Sequence, residues 1–182
     1  ARGQCAATTR NDIESETSEV TYLLRGSYEW DESMLYASVG TGYRAGEIQD
    51  GGKVTNPEES VSYEVGYKLD AGAVRFNAAG FFVDYTDLIR AGFDEDLNQI
   101  VTSNVAGAEI KGLEVEMTWL VGDNGVFNFG GGYLDAEYTD YIVDGAGFGT
   151  NVPAILDENG EPTGFYSLVG NTMPQSPKFS FN

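Results

Sequence analysis

Glu114 and Glu116 stand two residues apart in the strand-like run Leu113–Trp119, so both carboxylates point to the same side. Paired carboxylates are the equipment of glycoside hydrolysis, where one serves as acid and the other as base or nucleophile. The same pair also suits a solvated surface, and residues lining water are the expectation here. Asp94, Asp96 and Asn98 have the opening spacing of a calcium loop. Gln99 replaces the glycine that such a loop needs and Val105 sits at its closing position, so an EF-hand is excluded. The chain has no histidine. That closes the Ser-His-Asp and Cys-His routes to a nucleophile and removes the usual imidazole ligand. Gly40 to Gly46 has neither the lysine nor the following helix of a phosphate cradle. The single cysteine, Cys5, excludes a zinc cluster or an internal disulfide. It leaves a free thiol or a pairing with a cysteine outside this segment. No catalytic set, cofactor or resident metal is expected.

The totals narrow the class further. Among 182 residues, 41% are hydrophobic, which gives no sign of disorder. Mean hydropathy is -0.27 and no run of eighteen apolar residues exists, so no transmembrane helix is expected. A membrane β-barrel escapes that test, because its strands carry apolar residues only at every second position. The 11 tyrosines, 10 phenylalanines and 24 glycines suit strands better than helices. A net charge of -19 excludes nucleic acid as a partner, since phosphate contacts need lysine and arginine.

The elements that must carry these residues show a period of two. Val20, Tyr22, Leu24, Gly26, Tyr28 and Trp30 share one face, against Leu23, Arg25, Ser27 and Glu29. After Asp31-Glu32-Ser33, the run Leu35, Ala37, Val39, Thr41 and Tyr43 alternates with Tyr36, Ser38, Gly40, Gly42 and Arg44. Val61 to Leu69 and Val74 to Phe82 repeat the pattern around the turn Asp70-Ala71-Gly72. Leu113 to Trp119 and Phe127 to Tyr133 repeat it around Asp123-Asn124-Gly125, where Asn-Gly predicts a type I′ turn. Glu109 and Lys111 fall on the apolar side of their strand. Either a bulge near Gly112 re-aims them, or they lie above the membrane. All five prolines fall in connections or at a strand entrance, as a hydrogen-bonded ladder requires.

The connections alternate short and long. Tight turns at 31–33, 70–72 and 120–124 contrast with long connections near 45–59, 86–107 and 139–176. In the last, Ala154-Ile155-Leu156 and Phe165–Val169 flank Asp157 to Gly164 and predict a small hairpin. Bands of Trp30, Trp119 and Phe127 near one rim, and of Tyr43, Tyr63, Phe82 and Tyr133 near the other, suit membrane interfaces. The expected fold is all-β: a segment of an antiparallel up-and-down transmembrane β-barrel. It comprises about six full strands and the start of a seventh entering at Lys178, with short periplasmic turns and long extracellular loops. Residues 1–19 are an outer loop and 20–182 the strands and loops. Isolated, such a segment forms an open sheet. The alternatives are a soluble or surface-anchored β-sandwich binding module and a passive barrel pore.

Several stretches resemble the C-terminal half of the barrel in TonB-dependent outer-membrane receptors. Leu35-Tyr36-Ala37-Ser38-Val39, leading to Gly42-Tyr43-Arg44-Ala45-Gly46, is similar to that family's strand and loop "LYASVSxGYRAGG". Asn56-Pro57-Glu58-Glu59-Ser60 and Tyr63-Glu64-Val65-Gly66-Tyr67-Lys68 resemble "NPE…SYEVGxK". Asn77 to Leu88 resembles "NAAxFxxDYxDL", and Asn104 to Glu114 resembles "NAGxAxIxGxE". Gly132 to Tyr138 and Pro174-Gln175-Ser176-Pro177-Lys178 complete the series in the family's order. Glu47 departs from a position where glycine is common, and the loop after Tyr138 diverges.

The resemblance implies a piece of a closed barrel in the outer membrane of a Gram-negative bacterium, with no catalysis. A plug domain, absent from these residues, would couple the barrel to the TonB complex. The complete receptor would import a scarce ligand: a ferric siderophore, haem, cobalamin or a saccharide. Outer-membrane lipid and lipopolysaccharide are the surrounding partners, with the acidic loops holding divalent cations among lipid phosphates or simply solvated. Ligand contact is expected at the upper luminal ends of the strands, at Arg44, Tyr85 and Tyr138, and at Arg90 in the loop. Acidic loops favour a neutral or cationic ligand.

Overall fold

The computed structural model describes residues 16–48, 54–94, 99–104, 107–144, 152 and 154–182. Cys5 and the rest of 1–15, Gly51-Gly52, Asp96, Asn98, Val105 and Pro153 lie outside the described residues. The strands are β1 (Leu23–Trp30), β2 (Ser33–Arg44), β3 (Glu58–Ala71), β4 (Val74–Thr86), β5 (Ile89–Asp94) and β6 (Gln99–Asn104). They continue as β7 (Gly107–Val121), β8 (Gly125–Asp140), β9 (Ile142–Asp144), β10 (Ala154–Leu156), β11 (Pro162–Ser167) and β12 (Phe179–Phe181).

One antiparallel sheet of seven strands runs β1-β2-β3-β4-β7-β8-β12. Its strands are those that the alternation marks, including the seventh after Lys178. Because the side-chain period is two, an unslipped register stacks like faces across the whole sheet. Ala37 opposes Val65, Val65 opposes Gly80, Gly80 opposes Leu113, Leu113 opposes Tyr133 and Tyr133 opposes Phe179, all on the apolar face. Aromatic pairs cross the strands on that face: Tyr63–Phe82 at 6.4 Å, Tyr67–Phe76 at 6.4 Å and Tyr133–Phe179 at 5.3 Å between ring centres. Such pairs contribute about 0.5–1.5 kcal/mol each beyond the area they cover.

The apolar face is bare. Leu24 is 69% exposed, Leu113 59% and Phe181 73%. No large side chain among the described residues is fully buried. A β-sandwich would cover this face with a second sheet, whereas here it is left to an apolar solvent. The opposite face carries Arg25, Glu64, Lys68, Glu114 and Glu116, all exposed. Its order comes from rings laid over glycines. Tyr36, only 8% exposed, lies across its partner Gly66, where a methyl group would strike the ring. Phe81 covers Gly112 in the same way, with the ring 2.6 Å from where a Cβ would stand.

Three tight turns close on the pairs Trp30–Ser33, Ala71–Val74 and Val121–Gly125. The last differs from the type I′ turn predicted at Asn124-Gly125. Pairing Val121 with Gly125 leaves three residues in the turn, and the positive φ belongs to Gly122 at 61°. Gly125 is needed for close approach instead: a Cβ there would meet the Val121 carbonyl oxygen at 2.5 Å. The ladder also runs unbroken through Gly112, so no bulge sits there. The one irregularity in β7 lies between Gly107 and Ala108. Glu109 and Lys111 therefore keep the apolar-face parity and stand at the far end of the strand from its turn.

The long connections hold more structure than their sequence suggests. Residues 86–107 contain the β5–β6 hairpin, which the alternation does not mark. The small hairpin expected inside 139–176 is present as β10–β11, and β9 joins it to make three strands.

Candidate functional site

The long connections gather at one end of the sheet, where side chains bind loop backbone to strand. Asp87 leaves β4 with φ 54°, a left-handed conformation that Asp tolerates better than bulkier residues. That turn throws the β5–β6 hairpin out of the main sheet. Asn104, at the end of β6, donates through Nδ2 to the carbonyls of Asp87 (2.7 Å) and Asn56 (3.0 Å). Its Oδ1 accepts from the Asn56 N–H at 2.7 Å. One side chain thus fastens the connection after β2 to the hairpin after β4.

A second fastening runs through Glu58. Its Oε2 accepts from the Ile89 N–H at 2.8 Å and lies 4.0 Å from Arg44 Nη1. Arg44 Nη2 pairs with Glu47. The Glu47 N–H donates to Thr55 Oγ1 at 2.7 Å, and its carbonyl accepts from the Thr55 N–H at 3.0 Å. Thr55 is 5% exposed, the one buried polar residue at this end among the described residues. Arg44 is therefore engaged in holding its own loop.

Beside these fastenings lies a buried cluster of Leu88, Ala108 and Tyr138, with Tyr85, Tyr141 and Met173 packed against it. The Tyr138 and Tyr141 rings meet edge to face at 4.8 Å. Residues 170–173 fold back along β8. Gly170 N–H donates to the Tyr138 carbonyl at 2.8 Å, and Met173 N–H to that of Ala136 at 2.9 Å. Burial raises the Tyr141 phenol above its ordinary value, the neighbouring Tyr138 adds to this, and the Arg90 cation opposes it. Arg90 Nε is itself buried and makes no hydrogen bond among the described residues.

Of the four residues singled out in the sequence, Tyr85, Tyr138 and Arg90 converge on this cluster. Arg44 stands apart, linked to it through Glu58 and Ile89. Asn104, Glu58 and Tyr141 were not singled out. The turn-forming Asn56-Pro57 pair, just before Glu58, was the signal available for that fastening. Glu114 and Glu116 lie together on the exposed polar face, Glu116 accepting from Asn77 Nδ2 at 3.5 Å.

The family described as TonB dependent receptor-like, beta-barrel, matches residues 7–182. The chain belongs to that family. No curated protein matches it in sequence. Among solved structures, the ferric yersiniabactin uptake receptor FyuA from Yersinia pestis is similar over 87% of this chain, at 21% identity and a TM-score of 0.62. The match covers 21% of the FyuA chain, so the present chain spans about a fifth of that receptor's length. As part of a TonB-dependent receptor barrel, the sheet stands in the outer membrane of a Gram-negative cell. The apolar face is the outward one, the polar face lines the lumen, and the sheet is an arc of wall that is not closed on itself.

Proposed function

We propose that this wall belongs to a receptor that captures a scarce ligand at its loop end and imports it with energy delivered by the TonB complex to a plug inside the barrel. The observation that carries the reading is the loop end itself. Asn104 and Glu58 tie two long connections into one rigid body, which holds Arg90 and the tyrosine cluster at the top of the lumen face. A preorganised rim of this kind lowers the ordering cost of ligand capture.

Within that rim Arg90 is the contact residue we favour, because it sets a cation beside the tyrosine cluster. Tyr85 and Tyr138 belong to the adjoining cluster and are the next contact candidates, and Arg44 steadies the neighbouring loop. FyuA takes up ferric yersiniabactin, so ferric siderophores are the first ligands to try, with haem, cobalamin and saccharides as the other classes.

The test uses the full-length receptor in cells lacking competing uptake systems, with a labelled panel of these ligands. Uptake of one ligand that stops when TonB is deleted supports the reading, with Arg90→Ala weakening its binding about tenfold. Uptake that persists without TonB would make the protein a passive pore.

A further inference from the structure

We propose that Glu58 is a positioning residue for ligand capture. It touches no ligand itself and sets the affinity of the rim by fixing the backbone that carries Arg90. The inference rests on the reading of Arg90 as a contact residue and deepens it, placing control of that contact on a different strand.

The hairpin of β5 and β6 stands outside the seven-stranded sheet, so the ladder of the wall does not fix where Arg90 stands. Side chains do so instead. Asn104 ties down the backbone at Asp87, where the hairpin departs. Glu58 acts closer to the cation: its Oε2 accepts the N–H of Ile89, the residue before Arg90, at 2.8 Å. Leu88 and Ile89 are 7% and 5% exposed, so water is a poor substitute for that acceptor. A bond to a carboxylate is also about twice as strong as one between neutral groups. Arg90 thus follows directly on a pinned peptide, and its cation comes to lie by Tyr141.

Glu58 suits this task because it is itself anchored. It opens β3 directly opposite Arg44, in the ladder of the main sheet. Its side chain is 15% exposed, against 52% for Arg44, so it acts as a support and not as a contact. Arg44 lies 4.0 Å from it and is paired with Glu47 as well. Loss of the Glu58 carboxylate therefore leaves Arg44 with a partner, and the effect falls on the Arg90 side. The hairpin's reference point is the rigid wall, reached through one carboxylate oxygen.

The experiment compares Glu58→Ala and Glu58→Gln in the full-length receptor in detergent, with heat-modifiable migration on gels verifying that each forms a barrel. Hydrogen exchange should show residues 88–90 about tenfold less protected in Glu58→Ala. In Glu58→Gln they should keep wild-type protection, because the amide oxygen still accepts the bond. Binding is titrated with ferric yersiniabactin, haem and cyanocobalamin as probes. For a probe that wild type binds, Glu58→Ala should weaken binding about fivefold and Glu58→Gln by less than about twofold. Arg90→Ala should weaken it about tenfold, and adding Glu58→Ala should cost nothing more, where independent sites would reach roughly fiftyfold. Unchanged protection at 88–90 in Glu58→Ala overturns the proposal whether or not a probe binds. Additive losses, or a glutamine variant as weak as the alanine one, overturn it too. Wild-type binding by Arg90→Ala would instead overturn the contact reading on which it rests.

Discussion

The wall and its loop end follow different rules of construction. In the wall, every residue of β2, β3, β4 and β7 has a cross-strand partner in an unbroken ladder apart from the irregularity at Gly107. Backbone bonds hold it, and side chains decide only which face meets lipid. At the loop end the order is reversed: single side chains such as Asn104 and Glu58 hold backbone that no ladder reaches. Damage in the wall should therefore propagate across strands, and damage at the loop end should remain local.

The largest effect is expected from crowding the wall. Gly112→Val places a branched side chain where the Phe81 ring and the Tyr133 carbonyl already stand, each 2.6 Å from the Cβ position. Overpacking of that kind costs about 3 kcal/mol. Urea unfolding of the full-length barrel should show it as a lower midpoint for the whole protein. A change confined to the loops would break the contrast between the two regions.

A smaller, local effect is expected from Asn104→Ala. Three hydrogen bonds disappear, worth about 2 kcal/mol together once the competing bonds to water are counted. Limited proteolysis should cut sooner between 45 and 57 and between 87 and 104, with the barrel's unfolding midpoint unmoved.

The smallest effect concerns acid. Asp157 accepts the N–H groups of Glu161 (2.9 Å) and Asn159 (2.8 Å) in the turn between β10 and β11. Those bonds, Glu161 first, hold its carboxyl below the ordinary carboxylate value. A depressed folded value means that the turn is steadied above the ordinary value and loosens as pH falls through the lowered one. Protection of the Glu161 amide, its exchange measured against the intrinsic rate at each pH, should fall over that acid range in wild type. In Asp157→Asn that loss of protection should vanish, while protection in the wall stays constant over the same range in both proteins.

The same contrast explains what the sequence discloses. The alternation from Leu35 to Tyr43 and from Val61 to Leu69 states which face is apolar, because pleating converts parity into side. Register then follows from the tight turns, and all seven strands of the sheet are visible in advance. The β5–β6 hairpin is not, since Ile89-Arg90-Ala91-Gly92-Phe93 mixes polar and apolar residues without period. Asn104 looks like any loop asparagine until Asp87 turns the chain back toward it. Tyr85 and Tyr138 carry the right parity to be luminal, yet parity cannot tell that residues 170–173 fold back beside them. The predicted turn at Asn124-Gly125 failed for a related reason: local preference favoured one closure, and the ladder from Trp119–Phe127 required another.

The three turn-closing pairs also fix how the wall leans. Ser33 lies opposite Leu69, two residues short of Ala71, and Val74 lies opposite Trp119, two residues short of Val121. Each hairpin therefore drops two residues below the one before it, one residue per strand. With about 3.4 Å per residue against about 4.8 Å between strands, that staircase corresponds to a slope of about 35°. Tilted by that angle, the strands bring all three turns to a single level at the inner surface of the membrane, within the lean common to closed barrels. The seven strands, each then taking about 5.9 Å of circumference, span an arc of about 41 Å.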